Sequence, residues 1–311
     1  MELENNVINA SGLSLQTKMT YANHFKILKS WFLGKNKDLE TIILTPKRTI
    51  AKVYKKYPAI TTRRTFLSSI LGIFKYNPVF KNQYEDVYNL YLDEVKGLSE
   101  LISKKYDNNE LSQKQQEQYF TWEELLNAIE KMEKGTQEHL LMRFYTLIPP
   151  LRLDLNDVRI FRREPKLVDS NKGNYLVLRQ RGTLVLVLND YKTSNKYGKQ
   201  EIVLPMQLVK ELREFFKDKP DRQYLILNSN NEIYSEATMS LYISNILKKI
   251  LGRHSSANMI RHAYVNYINK DKNMTTGEKK QVAKGMCHSL NQQEHYRLIP
   301  NENKVITLRF D

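Results

Sequence analysis

Cysteine is almost missing from this sequence: among 311 residues there is one, Cys287. A single thiol forms no internal disulfide and builds no Cys-rich zinc module, which excludes disulfide-stapled scaffolds and zinc fingers. Long apolar runs are missing too. The longest is Leu184 to Leu188, far short of the roughly 18 residues a membrane span needs. The opening Met1-Glu2-Leu3-Glu4-Asn5-Asn6 is acidic and polar, unlike the basic and then apolar start of a secretory signal. These absences point to a soluble protein of a reducing, intracellular compartment.

Acid is also scarce. There are 34 Asp and Glu against 49 Lys and Arg, giving a net charge of +15, and such an excess favours an anionic partner, most often nucleic acid. A hydrophobic share of 41% excludes wholesale disorder. The length suits two domains of roughly 150 residues. The charge divides accordingly. Residues 1–84 hold a balance of +10 (14 basic, 4 acidic), 85–120 one of −4 (4 against 8), and 121–311 one of +9 (31 against 22). Between the basic blocks runs the Gln-rich Ser112 to Gln118, which lacks an apolar face, as a linker does. We read residues 1–110 as a helical DNA-binding domain, 111–120 as a linker, and 121–311 as a second domain ending in a tail, 297–311. The two blocks read as halves that close on a duplex from opposite sides.

The first block is patterned for helices. Leu13, Leu15, Met19, Tyr21, Ile27, Leu28 and Phe32 form a stripe, and Thr45-Pro46 reads as a cap and first-turn proline of a helix toward Tyr57. Further helices are expected over 62–76 and 82–105. Lys47, Arg48, Arg63 and Arg64 stand at helix starts, where they can meet phosphates. The second block opens on a capping box, Thr121-Trp122-Glu123-Glu124. Helices are expected to 129 and over 136–148, then three strands (175–178, 183–188, 200–204) as an antiparallel meander. Helices resume at 206–217, 236–251, 258–269 and 276–286. The fold class is mainly α with one small antiparallel sheet.

Four features of the second block carry chemistry: Pro149-Pro150-Leu151-Arg152-Leu153-Asp154; Tyr191-Lys192-Thr193-Ser194 on a β-hairpin; Asn258-Met259-Ile260-Arg261-His262; and Met286-Cys287-His288-Ser289, with Tyr296 eight residues beyond His288. In this order they resemble the tyrosine recombinase (phage-integrase) family, of the simple two-domain type. Each motif alone is weak, and Tyr296 is one of 19 tyrosines. Five matches in order, with the tyrosine near the end, are specific. The resemblance implies a helical core-binding domain followed by a catalytic domain of the tyrosine recombinase and type IB topoisomerase kind. It makes Arg152 and Arg261 the two phosphate-binding arginines, Lys192 the hairpin lysine, His288 a further donor and Tyr296 the nucleophile. Lys196 and Lys199 share the hairpin with Lys192. Two departures stand out. Asn258 occupies the position of a basic His or Lys and cannot accept a proton, and Leu155 stands where an acidic residue is usual, with Asp154 and Asp157 nearby.

The chemistry explains these residue types. Attack by a tyrosine on a phosphodiester builds charge on the non-bridging oxygens, which two guanidinium forks can bind. The departing 5′ oxygen needs a proton, for which a lysine serves as general acid. Capture as a 3′-phosphotyrosine keeps the bond energy, so rejoining needs neither ATP nor metal. No carboxylate cluster for a two-metal site is apparent, and no cofactor is expected. His262 reads as a structural helix histidine, Cys287 as a small packed residue, and His295 as a flank of the nucleophile. Residues 304–310 read as a strand that joins a neighbouring protomer. The resemblance implies double-stranded DNA as partner, a homotetramer on two recombination sites, and a monomer or dimer off DNA. A wealth of Asn, Lys, Tyr and Ile fits an AT-rich mobile element or virus integrating its genome, placing the protein in the host cytoplasm or nucleus. Type IB topoisomerase, telomere resolvase and a catalytically inactive DNA-binding relative stay open as alternatives.

Overall fold

A computed structural model describes residues 2–31, 38–107, 111–163, 165–166, 173–178, 182–271 and 273–297. The strand expected over 304–310, and Phe32 of the first stripe, lie outside the described residues. The chain forms two compact units, Met1–Asn108 and Asn109–Asp311.

In the first unit the described elements are helices: α1 (Glu2–Ile8), α2 (Leu15–Ser30), α3 (Leu39–Ile43), α4 (Pro46–Lys56), α5 (Ile60–Tyr76), α6 (Pro78–Gln83) and α7 (Glu85–Asp107). Buried Phe66, Ile70 and Phe74 of α5 and Tyr91 and Leu98 of α7 share one core with Phe25 and Leu28 of α2. The expected stripe on α2 is only half right. Leu15 and Met19 are 75% and 59% exposed, because at 100° per residue Tyr21, Phe25 and Leu28 share a face that positions 15 and 19 do not. The expected Thr45 cap is absent as well. Its hydroxyl donates instead to the Ile42 carbonyl at 2.9 Å, and α4 begins on Pro46 without a side-chain cap. Helix α1, with a polar sequence that gave no signal, is held by Asn77. That side chain donates to the Leu3 carbonyl at 3.1 Å and accepts from Asn6 at 2.7 Å.

In the second unit the Gln-rich stretch expected as a linker forms helix α8 (Gln113–Gln118), and Phe120 beyond it is buried in the core. Helix α9 (Trp122–Glu130) starts on the expected capping box. Glu124 N–H donates to Thr121 Oγ1 at 3.1 Å, and Thr121 N–H to Glu124 Oε2 at 2.7 Å. Helix α10 (Gln137–Leu147) follows. The sheet has one more strand than the pattern indicated. Strand β1 (Arg159–Phe161) pairs in parallel with β2 (Tyr175–Leu178), which continues antiparallel to β3 (Leu184–Leu188) and β4 (Gln200–Val203). The sheet is therefore mixed, not purely antiparallel. Strand β1 is only three residues long and no element buries it fully, so it shows no alternation to read. A helical turn, α11 (Ser194–Tyr197), sits inside the β3–β4 connection. Then come α12 (Met206–Phe216), α13 (Glu236–Leu251), α14 (Ala257–Ile268), α15 (Thr276–Gly285) and α16 (Leu290–Glu294). A single core joins α9, α10, α12, α13, α14 and one face of the sheet. Among the described residues no helix is long and apolar enough to cross a membrane.

Candidate active site

Three loops meet in the second unit, and three buried or half-buried side chains tie them pairwise. The first tie is Arg261 on α14, fully buried. Its Nη1 donates to the Pro150 carbonyl and its Nη2 to the Met286 carbonyl, the latter at 3.1 Å. The second is Asn174, whose Nδ2 donates to the carbonyls of Asp154 (3.1 Å) and Asp190 (2.8 Å), while its Oδ1 accepts from the N–H groups of Asn189 and Asp190, both at 3.0 Å. The third is Thr193, whose hydroxyl donates to the Cys287 carbonyl at 2.8 Å. The segments 149–154, 189–193 and 286–288 are thus joined in a closed triangle, and each carries one sequence candidate: Arg152, Lys192 and His288. Buried polar groups must find partners, and here those partners fix where the three loops lie.

Local sequence shapes each corner. Pro149 and Pro150 end α10 and carry the chain toward Arg152. The Tyr145 hydroxyl donates to the Arg152 carbonyl, and the Arg152 N–H donates to Asp154 Oδ2 at 2.9 Å. Burial raises the pKa of Asp154, against the pull of Arg152 and Arg261. Helix α15 ends with Cys287 in the left-handed region, at φ 56°, which turns the chain so that His288 N–H donates back to the Ala283 carbonyl at 3.1 Å. A non-glycine residue there costs on the order of 1 kcal/mol. The Cys287 thiol is packed and pushed up to about 12 by burial and the Asp154 carboxylate, so it is a core residue, not a reactive one.

Tyr296 completes the arrangement. Its ring is buried, with the Arg261 guanidinium carbon 4.8 Å from its centre. The His288 ring meets it edge-on at 5.2 Å and the His262 ring at 4.8 Å. Burial, with Arg261 and Arg152 nearby, pushes the His288 pKa down to about 3, so its imidazole is neutral. Among the described residues neither ring nitrogen of His288 has a hydrogen-bond partner, and Arg261 Nε has none. Among the described residues the buried guanidinium hydrogen-bonds carbonyls and no carboxylate, with Asp154 and Tyr296 acting on it only in part, and an unpartnered imidazole stands beside it, which is the setting of an anion site. Burial lowers the Arg261 pKa in consequence, opposed by Tyr296.

The other candidates fall as follows. Lys192 is exposed, next to the anchored Thr193, with no hydrogen bond or ion pair to any described residue. Its neighbours are occupied: Lys199 pairs with Glu201 at 2.9 Å, and the Lys196 ammonium lies 5.3 Å from the Tyr197 ring centre. Asn258 contacts His262 at 3.2 Å. In the first unit, Lys47 and Arg48 are exposed on the first turn of α4. Arg63 is committed inward, donating to the Tyr57 carbonyl at 2.6 Å and stacking over the Tyr54 ring at 4.2 Å. Arg64 Nε donates to Ser99 Oγ at 2.9 Å. Sequence reasoning passed over Asn174, Thr193 and Gln293. Gln293 is fully buried one turn before Tyr296, with both amide atoms unpartnered among the described residues. Thr193 stands in the hairpin motif, where only Lys192 drew notice, and neither Asn174 nor Gln293 sits in a motif.

No protein-family model and no curated protein matches the sequence. Solved structures do. The chain is similar to the Tn1549 transposon integrase in complex with a circular intermediate DNA (14% identity, TM-score 0.57, covering 96% of this chain and 94% of that one). It is similar to a lambda integrase dimer bound to a COC′ core site (12% identity, TM-score 0.54, covering 100% and 96%). A lambda integrase tetramer bound to a Holliday junction gives 14% identity and a TM-score of 0.53, covering 96% and 77%. At such identities the likeness is one of fold, and the fold is that of the tyrosine recombinases.

Proposed function

We propose that this chain, built on the tyrosine recombinase fold, is a site-specific DNA recombinase or integrase that cuts and rejoins strands through a 3′-phosphotyrosine. The observation that carries the reading is the convergence of Arg152, Arg261, His288 and Tyr296 on one site with an unpartnered imidazole and guanidinium nitrogen. A scissile phosphate supplies the missing anion. Arg152 and Arg261 bind its non-bridging oxygens, and the N–H of the neutral His288 ring donates to one of them. The Tyr296 hydroxyl oxygen attacks phosphorus, the bond to the 5′ oxygen breaks, and that oxygen takes a proton from Lys192. The phenolic proton passes to water, since His288, pushed down to about 3, is a poor base. Asn258 offers hydrogen-bond donors and no base.

Lys47, Arg48, Arg63 and Arg64 contact the DNA backbone, with Arg63 serving its own fold as well. The active form is a dimer on each site and a tetramer at synapsis. The lambda integrase structures, a dimer on a core site and a tetramer on a Holliday junction, support this stoichiometry. A mobile element or integrating virus is the setting that fits, and the transposon integrase among the similar structures supports it.

The test is a nicked suicide duplex carrying a site recovered by selection from random DNA. Wild-type protein should form a denaturant-resistant covalent adduct. Tyr296→Phe should bind the same duplex and form none. An adduct at another tyrosine would overturn the assignment, and site-independent relaxation of a plasmid without exchange would mark a topoisomerase instead.

A further inference from the structure

His262 has no part in the steps above, yet it lies between two groups with opposite demands. Its Nδ1 is 2.7 Å from the backbone carbonyl oxygen of Tyr296. A carbonyl only accepts, so Nδ1 carries a proton. Its Nε2 is 3.2 Å from Nδ2 of Asn258, one turn earlier on α14. An amide nitrogen only donates, so Nε2 carries none. The two contacts specify one tautomer of a neutral imidazole. Burial, with Arg261 adjacent, pushes the His262 pKa down to about 4, so that form persists at neutral pH.

The consequence concerns the nucleophile. The Tyr296 N–H donates to the Gln293 carbonyl at 2.9 Å, which ties it to α16. Its carbonyl is tied by His262 to α14, the helix that bears Arg261. The ring of His262 also packs against that of Tyr296. Both backbone polar groups of Tyr296 are therefore fixed, and one of the two ties depends on which nitrogen of His262 holds the proton.

Resting on the reading of Tyr296 as nucleophile, we propose that His262 is its positioning residue and that Asn258 acts by holding His262 in the Nδ1–H tautomer. Asn258 thus has a task that needs a hydrogen-bond donor and not a base. A proton added at Nε2 would turn that nitrogen into a donor facing the Asn258 amide donor.

Two measurements on the full-length protein test this. The first needs no DNA. Long-range proton–nitrogen correlation on 15N-histidine-labelled protein, assigned by loss of the signal in His262→Asn, should show His262 neutral with its proton on Nδ1 at pH 7. In Asn258→Asp, the carboxylate should accept from Nε2 and raise the His262 pKa by more than a unit. An Nε2–H tautomer in wild type, or an unmoved titration in Asn258→Asp, would overturn the proposal. The second compares adduct formation on the suicide duplex. His262→Leu fills the space without a donor and should slow the adduct about tenfold or more, as a displaced reacting group does, with DNA binding unchanged. His262→Asn places an amide donor where Nδ1 stands and should recover most of that loss. Equal rates for wild type and His262→Leu, or no recovery in a folded His262→Asn protein, would overturn it. Wild type forming no adduct while keeping the Nδ1–H tautomer would instead strike the strand-transfer reading, and the titration shift in Asn258→Asp would then decide this one.

Discussion

Gly285 approaches Pro149 so closely that a Cβ on the glycine would stand 2.8 Å from the proline Cγ and 3.2 Å from its Cβ. Helix α15 and the end of α10 therefore touch at a point where a side chain has no room. This contact lies between two corners of the candidate site, one carrying Arg152 and the other His288.

Gly285→Ala should force those corners apart. Neither a ring nor a helix end yields easily, so the cost should be about 1–3 kcal/mol, as for overpacking. Denaturant unfolding checks the stability. Adduct formation should fall further than DNA binding, because the displaced loops bear the groups proposed to bind the scissile phosphate. Wild-type stability and adduct rate together in this variant would refute the contact.

The two arginines should separate in the same experiments. Arg261 joins the Pro150 and Met286 carbonyls from a fully buried position. Arg261→Ala leaves a cavity and two unpartnered carbonyls, and should destabilise by about 3–5 kcal/mol. The Arg152 guanidinium is half-exposed and makes no hydrogen bond or ion pair to the described residues. Arg152→Ala should leave stability within about 0.5 kcal/mol of wild type while abolishing the adduct. Thermal melts and the suicide duplex distinguish the two.

Stability should fall on acidification. His262 and His288 are held neutral, with pKa values pushed down to about 4 and about 3 from an ordinary 6.5. Between pH 6.5 and 4 the unfolded chain takes up protons on both that the folded chain refuses. The stability they contribute is full above pH 6.5 and is lost as pH drops, by at most about 1.4 kcal/mol per histidine per pH unit. Asp154, raised by burial, works the other way and softens the loss near pH 4. Urea midpoints between pH 7 and 4.5 check the sign, and His288→Gln should flatten the slope.

Exposed and committed cations of the first unit should behave differently toward DNA. Lys47 is exposed, so Lys47→Gln should reduce the slope of log affinity against log salt by about 0.9. Arg63 is spent on the Tyr57 carbonyl and the Tyr54 ring. Arg63→Ala should cost about 1–2 kcal/mol of folding stability and shift the salt slope less than Lys47→Gln. Filter binding across a salt series, with melts in parallel, reads both.

Some of this was already written in the chain. Helix starts were legible where a side chain caps its own backbone, as at Thr121 and Glu124, because the partners are three residues apart. Helices α10, α13, α14 and α15 followed from periodicity, and the order of Arg152, Lys192, Arg261, His288 and Tyr296 from motif. Strand β1 and helix α1 were not legible, since each is held by residues far along the chain: Tyr175 to Val177 for one and Asn77 for the other. The sequence could not say on which face of α2 Leu15 would lie, because exposure depends on where α5 packs.

The amino-acid order by itself determined which side chains are chemically able to act: fixed-charge arginines, an imidazole, a phenol, and a lysine on a turn. Tertiary structure alone decided that the arginines, the imidazole and the phenol meet. Arg261 reaches across 111 residues to Pro150, Thr193 across 94 to Cys287, and His262 across 34 to the carbonyl of Tyr296. No local pattern encodes such contacts. They follow from the rule that buried donors and acceptors must pair, and that rule acts only once the helices and sheet have closed around them.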